Sequence, residues 1–127
     1  YIRSRLGPTK MLQQKKKGRD RFDPASWSLR DWKQIDWETF TQDALVCATP
    51  AFLFSAWISS DGVAEADADI YDGHDVNGRK LIWLYCNDEE MLQLNWFPPL
   101  YFAQGIYCNK RTNVKAIGFQ YLREPRL

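Results

Sequence analysis

The chain has 127 residues, 45% hydrophobic and 15% aromatic, with six Trp, seven Phe and a formal net charge of +1. That is the size of one domain with ample apolar surface for a core, which excludes a wholly disordered chain and a pair of ordinary-sized domains. The longest apolar runs, such as Ala51 to Phe54, fall far short of the roughly 20 residues of a membrane-spanning helix, so the expectation is a soluble chain with no membrane partner.

The near-neutral total hides an asymmetry. Residues 1–21 hold Arg3, Arg5, Lys10, Lys15, Lys16, Lys17, Arg19 and Arg21 against Asp20 alone; eight bases and one acid give +7, and the total of +1 leaves −6 for the remainder. Gly7, Pro8 and Gly18 break any long helix, and almost nothing is apolar beyond Ile2, Leu6, Met11 and Leu12. Residues 1–22 therefore read as an extended basic arm without the apolar centre of a secretory signal. Such an arm suits an acidic surface, either neighbouring subunits or the phosphates of nucleic acid, with a solvated tail as the plainer alternative.

Residues 23–38, DPASWSLRDWKQIDWE, form a Trp-rich connecting segment. Asp23 or Ser26 is placed to cap a short helix that sets Leu29, Trp32 and Ile35 on one side. Trp27, Trp32 and Trp37 recur every five residues, which matches neither the helical nor the strand period, so they cannot share one face of a regular element. They read as interface residues that pin an irregular segment onto the body or a neighbour.

From residue 39 to 127 the signals are those of strands and turns. ALVCATPAFLFSAWISS gives two apolar runs with a break or bulge at Thr49-Pro50, because Pro has no N–H for a sheet ladder. DADIYDG and GRKLIWLYC are joined by HDVNG, and Asn-Gly between two β-rich runs marks a hairpin. MLQLNWF ends at Pro98-Pro99, and LYFAQGIYC is a broken strand with Gly105 as its bulge or bend. In VKAIGFQYL, Lys115, Ile117, Phe119 and Tyr121 alternate against Val114, Ala116, Gly118 and Gln120, which is the strand period. About seven short strands at this spacing predict an all-β fold, an antiparallel β-sandwich or jelly-roll-like domain behind the extended basic arm. There is no βαβ alternation and no glycine-rich phosphate motif.

The only histidine, His74, lies between Asp72 and Asp75 with Asp67 and Asp69 upstream. The spacing fails as a calcium loop, since Ile70 and Tyr71 interrupt it and the closing Glu is missing, and one His is too few for the usual zinc sites. Asp67, Asp69 and Asp72 would meet at a cation only if the loop folded back. His74 reads as a water-exposed turn residue whose loss changes stability by less than about 0.5 kcal/mol. Asp88-Glu89-Glu90 reads as an edge-blunting turn. Cys47, Cys86 and Cys108 are odd in number, far apart and set among apolar residues, so they read as reduced, buried thiols of a chain folded in a reducing cytoplasm. No catalytic residue, metal ligand or cofactor site is assigned, and an enzyme is not expected. The aromatic set Trp83, Tyr85, Trp96, Phe97, Tyr101, Phe102, Tyr107, Phe119 and Tyr121 is read mainly as core, the rival being an exposed face that stacks on sugars or bases.

In order, PAFLFSAWISSDG, ADIYDGHDVNGRKLIWLYC, WFPPLYFAQGIYC and NVKAIGFQYL resemble the small β-sandwich structural proteins of tailed bacteriophage particles. There an IYDG-type strand and turn precede a PP-x-x-F-x-x-GIY-type strand and a closing alternating strand. The resemblance covers about residues 44–122; the Trp and Cys content and the basic arm depart from it. It implies a virion component, either a capsid decoration or cement protein or part of the neck or tail. Other virion proteins and further copies of the chain are the implied partners, with nucleic acid as a partner of the arm, and the location is the virion after folding in the host cytoplasm. The rival function is a carbohydrate- or nucleic-acid-binding module.

Overall fold

The computed structural model describes residues 34–124. Eight strands follow in order: β1 (Asp36–Phe40), β2 (Ala44–Cys47), β3 (Ala51–Ser60), β4 (Ala66–Asp72), β5 (Arg79–Cys86), β6 (Met91–Phe102), β7 (Ile106–Thr112) and β8 (Val114–Arg123). They form two four-stranded antiparallel sheets, ordered β1-β8-β3-β6 and β2-β7-β4-β5. The all-β, antiparallel expectation holds. The basic arm and the helix expected around Leu29 and Trp32 lie outside the described residues. Strand β1 straddles the expected body boundary at residue 39, so Trp37 is a strand residue of the first sheet.

Period-two patterning explains how the sheets meet. In β5, Ile82, Leu84 and Cys86 are buried while Leu81, Trp83 and Tyr85 are exposed. From β4, Ala66, Ala68 and Ile70 join them in one cluster with Leu53, Ala56 and Ile58 of β3 and Ile117, Phe119 and Tyr121 of β8. The facing sides of both sheets thus share one apolar core, at a gain of roughly 25 cal/mol for each Å² of apolar surface removed from water. Tyr121 is fully buried, and its hydroxyl lies 2.7 Å from a Glu38 carboxylate oxygen and 3.2 Å from the Val46 carbonyl. Burial first, then the Glu38 carboxylate, push this phenol well above its ordinary range. Donation to those oxygens is how a hydroxyl can sit in an apolar interior.

Four local expectations meet the structure differently. Thr49-Pro50 does separate two strands, and HDVNG does join β4 to β5 in an antiparallel hairpin. Pro98-Pro99 does not end a strand: β6 runs through both prolines to Phe102. The physical reason is position: β6 is the sheet edge, paired only with β3, so the prolines interrupt a single ladder and pairing resumes beyond them. Its register against β3 shifts between Leu53 and Ser55, where the prolines intervene. In β8 the alternation holds for Ile117, Phe119 and Tyr121 but not for Lys115, which is exposed. Ser59 pairs with Ala116 and Ser60 with Val114, so Lys115 is the extra residue of a bulge and escapes the core.

The three cysteines are buried and unpaired, as expected. Desolvation pushes the Cys108 thiol up to about 12 and raises that of Cys86, so neither is a ready thiolate. Among the described residues no helix is long and apolar enough to cross a membrane.

Candidate functional site

The acidic stretch around His74 resolves into a joint between loops. The His74 Nε2 lies 2.9 Å from the Ala48 carbonyl oxygen and 2.9 Å from that of Gln104. Both partners are acceptors, so Nε2 carries the proton and shares it between them. That nitrogen then has no lone pair for a metal or for a nucleophile's proton. The ring ties the β4–β5 loop to the β2–β3 and β6–β7 loops at one end of the molecule. Asp72 strengthens the joint by accepting from the backbone N–H of Ala103 at 3.1 Å and of Gln104 at 2.8 Å, and Gly73 N–H donates to the Gly105 carbonyl at 3.1 Å.

His74 is solvent-exposed, as expected of a turn residue, but the expected dispensability needs correction, because it bridges segments 26 and 30 residues away. His74→Ala is now expected to lower unfolding stability by about 1 kcal/mol, the usual worth of a hydrogen bond whose partners water can reach. Urea denaturation measures it; a variant within about 0.3 kcal/mol of the parent would show that water replaces the imidazole without loss.

The three upstream carboxylates do not converge. Among the described residues no group of three or more His, Cys, Asp or Glu side chains is placed to hold a metal ion. Asp72 turns to the loop amides, while Asp67 and Asp69 lie on the outer face of the second sheet. Asp67 accepts from Trp83 Nε1 at 3.0 Å and from Thr112 Oγ1 at 2.9 Å, with Arg111 Nε at 3.5 Å. Desolvation pushes this carboxyl up, but the bonds from Trp83 and Thr112 and the Arg111 charge outweigh it, and it titrates below the usual carboxylate range. A lowered folded pKa contributes stability that is complete above the unfolded value and lost as pH falls through the folded one. The Trp83 Nε1–H proton resonance should therefore hold its position near neutrality and shift in acid with a midpoint below about pH 4, the ordinary Asp value. A midpoint above about pH 4, or no shift on acidification in an otherwise folded protein, would contradict the bond.

The aromatic set is divided between core and surface. Phe102, Phe119 and Tyr121 are buried and Trp96 packs against the core, whereas Trp83, Tyr85 and Phe97 are exposed. Another ring pair lies on the outer face of the first sheet, one ring exposed and the other half-buried. Trp37 of β1 is 63% exposed and its ring centroid is 6.4 Å from that of Trp57 of β3. Between their strands runs β8, where Gly118 leaves room: a Cβ there would fall inside the Trp57 ring. The absence of a side chain lets Trp57 lie across the sheet beside Trp37. Period arguments on Trp27, Trp32 and Trp37 could not find this pair, since its second member is 20 residues further on; the isolated Gly in the β8 pattern was the available signal.

Of the expected partner-binding residues, Arg3, Arg5, Lys10, Lys15, Lys16, Lys17, Arg19 and Arg21, with Trp27 and Trp32, lie outside the described residues; Trp37 is the member the structure places. It stands on β1, an edge strand of the first sheet. No family model matches the chain, and comparisons with curated proteins and with solved structures return no significant match.

Proposed function

We propose that the chain is a structural component of a tailed-phage virion, a capsid decoration or cement protein or a neck or tail part, that assembles through its β body and basic arm. The observation that carries the reading is the strand order. With β1-β8-β3-β6 against β2-β7-β4-β5, only β4 and β5 are both consecutive in sequence and adjacent in a sheet. All other consecutive strands switch sheets, which is the double Greek-key winding of a jelly roll, an architecture that recurs in viral capsid domains. Lectins and cupins share it, so the fold supports the assembly role without being specific to it.

Two features favour assembly within that group. Trp37 presents a large ring to solvent on an edge strand, and Trp is enriched in subunit interfaces. The segment that leads into that strand carries +7 over residues 1–21, opposite in sign to the remainder, so arm and neighbouring body attract.

Sedimentation of the full chain tests this reading. A multimer should form at low salt and weaken as ionic strength rises past physiological values, where the Debye length is about 8 Å. Trp37→Ala should shift the distribution toward monomer while leaving the melting temperature unchanged at high salt, where both chains are compared as monomers. A chain that stays monomeric at high concentration and low salt contradicts the proposal.

A further inference from the structure

The outer face of the second sheet carries a constellation that the assembly role does not use. Strands β7, β4 and β5 set Tyr107 beside Tyr71, Asp69 beside Trp83, and Asp67 beside Tyr85 in successive rows. We propose that this face binds a neutral glycan chain, one sugar ring stacking on Trp83 and a sugar hydroxyl donating to Asp69.

Trp83 is 56% exposed, yet it is fixed. Its ring stacks on Tyr85 with centroids 5.2 Å apart and planes 29° apart, and its Nε1–H is held by Asp67. Tyr85 is held in turn, its hydroxyl 3.2 Å from Glu65 Oε2 and 3.3 Å from Asn87 Oδ1. A solvent-facing indole gains little by being locked, whereas a binding platform gains directly, because the ordering cost of the side chain is met before the ligand arrives. The open face of the indole is electron-rich, and the apolar C–H face of a sugar ring offers it partial positive charge and area.

Asp69 supplies the independent observation. Its side chain is 5% exposed, and its Oδ1 has no hydrogen-bond donor. The Lys80 ammonium stands 3.5 Å from Oδ1 and the Arg111 guanidinium 3.6 Å from Oδ2, both outside the 2.7–2.9 Å of a charge-assisted hydrogen bond. A buried carboxylate oxygen without a donor is costly, and the cost is relieved when a donor arrives from outside. Asp67, in contrast, has both oxygens engaged by Trp83 and Thr112, so it holds the ring while Asp69 receives. Lys80 is half exposed on a flexible stem and can move aside.

The charge balance selects the ligand class. Glu65, Asp67 and Asp69 outnumber Lys80 and Arg111 here, and both cations already face the carboxylates. A phosphate-rich strand would meet a net negative surface, which disfavours nucleic acid despite the exposed rings. A hydroxyl both donates and accepts, and so fits the carboxylate and the neighbouring cationic donors without bringing charge.

The test titrates cellohexaose, maltohexaose, laminarihexaose and chitohexaose into the full chain at millimolar concentrations, with a dT oligonucleotide in parallel. Saturation-transfer NMR and tryptophan fluorescence report binding. At least one sugar should bind, with Trp83→Ala weakening it at least about tenfold and the near-isosteric Asp69→Asn about fivefold. Phe97→Ala on the other sheet should leave it unchanged. Asp69→Asn preserves shape, so the proposal remains testable if Trp83→Ala destabilises the strand. Absence of binding to all four sugars, equal affinity in a folded Asp69→Asn, or displacement of the sugar by the oligonucleotide would overturn it. None of these outcomes depends on sedimentation, so the glycan proposal and the assembly proposal fail separately.

Discussion

Phe119→Ala is expected to cost roughly 3–5 kcal/mol of unfolding free energy, the range for deleting a buried Phe side chain. Phe119 is fully buried in β8, a central strand flanked by β1 and β3, so the surrounding backbone is tied on both sides and cannot collapse freely into the space. Its partner on β3 is Ala56 and on β1 Glu38. The large ring therefore fills the volume that a small neighbour leaves, and it also packs on Phe40 with centroids 6.1 Å apart. Domains of this size lose about 4–8 °C of melting temperature for each kcal/mol, so the drop should be well over 10 °C. Phe97→Ala is the contrast: at 76% exposed it should fall within about 0.5 kcal/mol of the parent. Equal melting temperatures for Phe119→Ala and the parent would show that the inward face of β8 was misassigned.

Gly105→Ala should be the most damaging change at the loop end, at about 3 kcal/mol. Its φ of +145° is one that residues with a side chain rarely adopt, a strain worth about 1–3 kcal/mol. A Cβ there would also stand 2.5 Å from the Cys47 carbonyl oxygen and 3.1 Å from His74 Cδ2. The carbonyl belongs to backbone at the end of β2 and cannot swing away as a side chain could, so overpacking adds to the strain. The damage should be local in character. Hydrogen exchange should quicken first at the Ala103 and Gln104 amides, which Asp72 holds, before the amides of β3 and β8. Uniform loss of protection, or none, would count against a distinct loop joint.

Much of the fold was legible because it was local. The Asn-Gly hairpin, the Thr49-Pro50 break and the alternation of Ile117, Phe119 and Tyr121 each rest on residues within one strand or turn, where period and turn chemistry act directly. The departures have the opposite origin. Pro98-Pro99 does mark where pairing with β3 lapses, but that the strand resumes at Leu100 depends on its edge position, which is a property of the whole sheet. Lys115 followed the alternation on paper and left it in space because of a bulge set by its pairing with β3. The sheet order itself is non-local, with β1 beside β8 and β2 beside β7.

The candidate sites followed the same division. The exposure of His74 was legible from the turn, but its hydrogen-bond partners come from two other loops. Asp67 and Asp69 drew notice as an acidic run. Strand alternation sends both to one face, and bulges opposite Tyr71 and Asp67 bring Lys80 and Arg111 to meet them. The aromatic set looked uniform in sequence and split between core and surface only through the parity of each strand.

If the chain is the virion component proposed, one measurement tests it most directly: rebinding of the purified chain to tailed-phage particles prepared without it, compared with an otherwise identical chain lacking residues 1–21. The full chain should restore stoichiometric occupancy, weaken with salt as screening predicts, and bind DNA only loosely and without sequence preference. The shortened chain should keep its strand signature and melting temperature and fail to rebind. Undiminished particle binding by the shortened chain, or tight DNA binding by the body alone, would contradict the account.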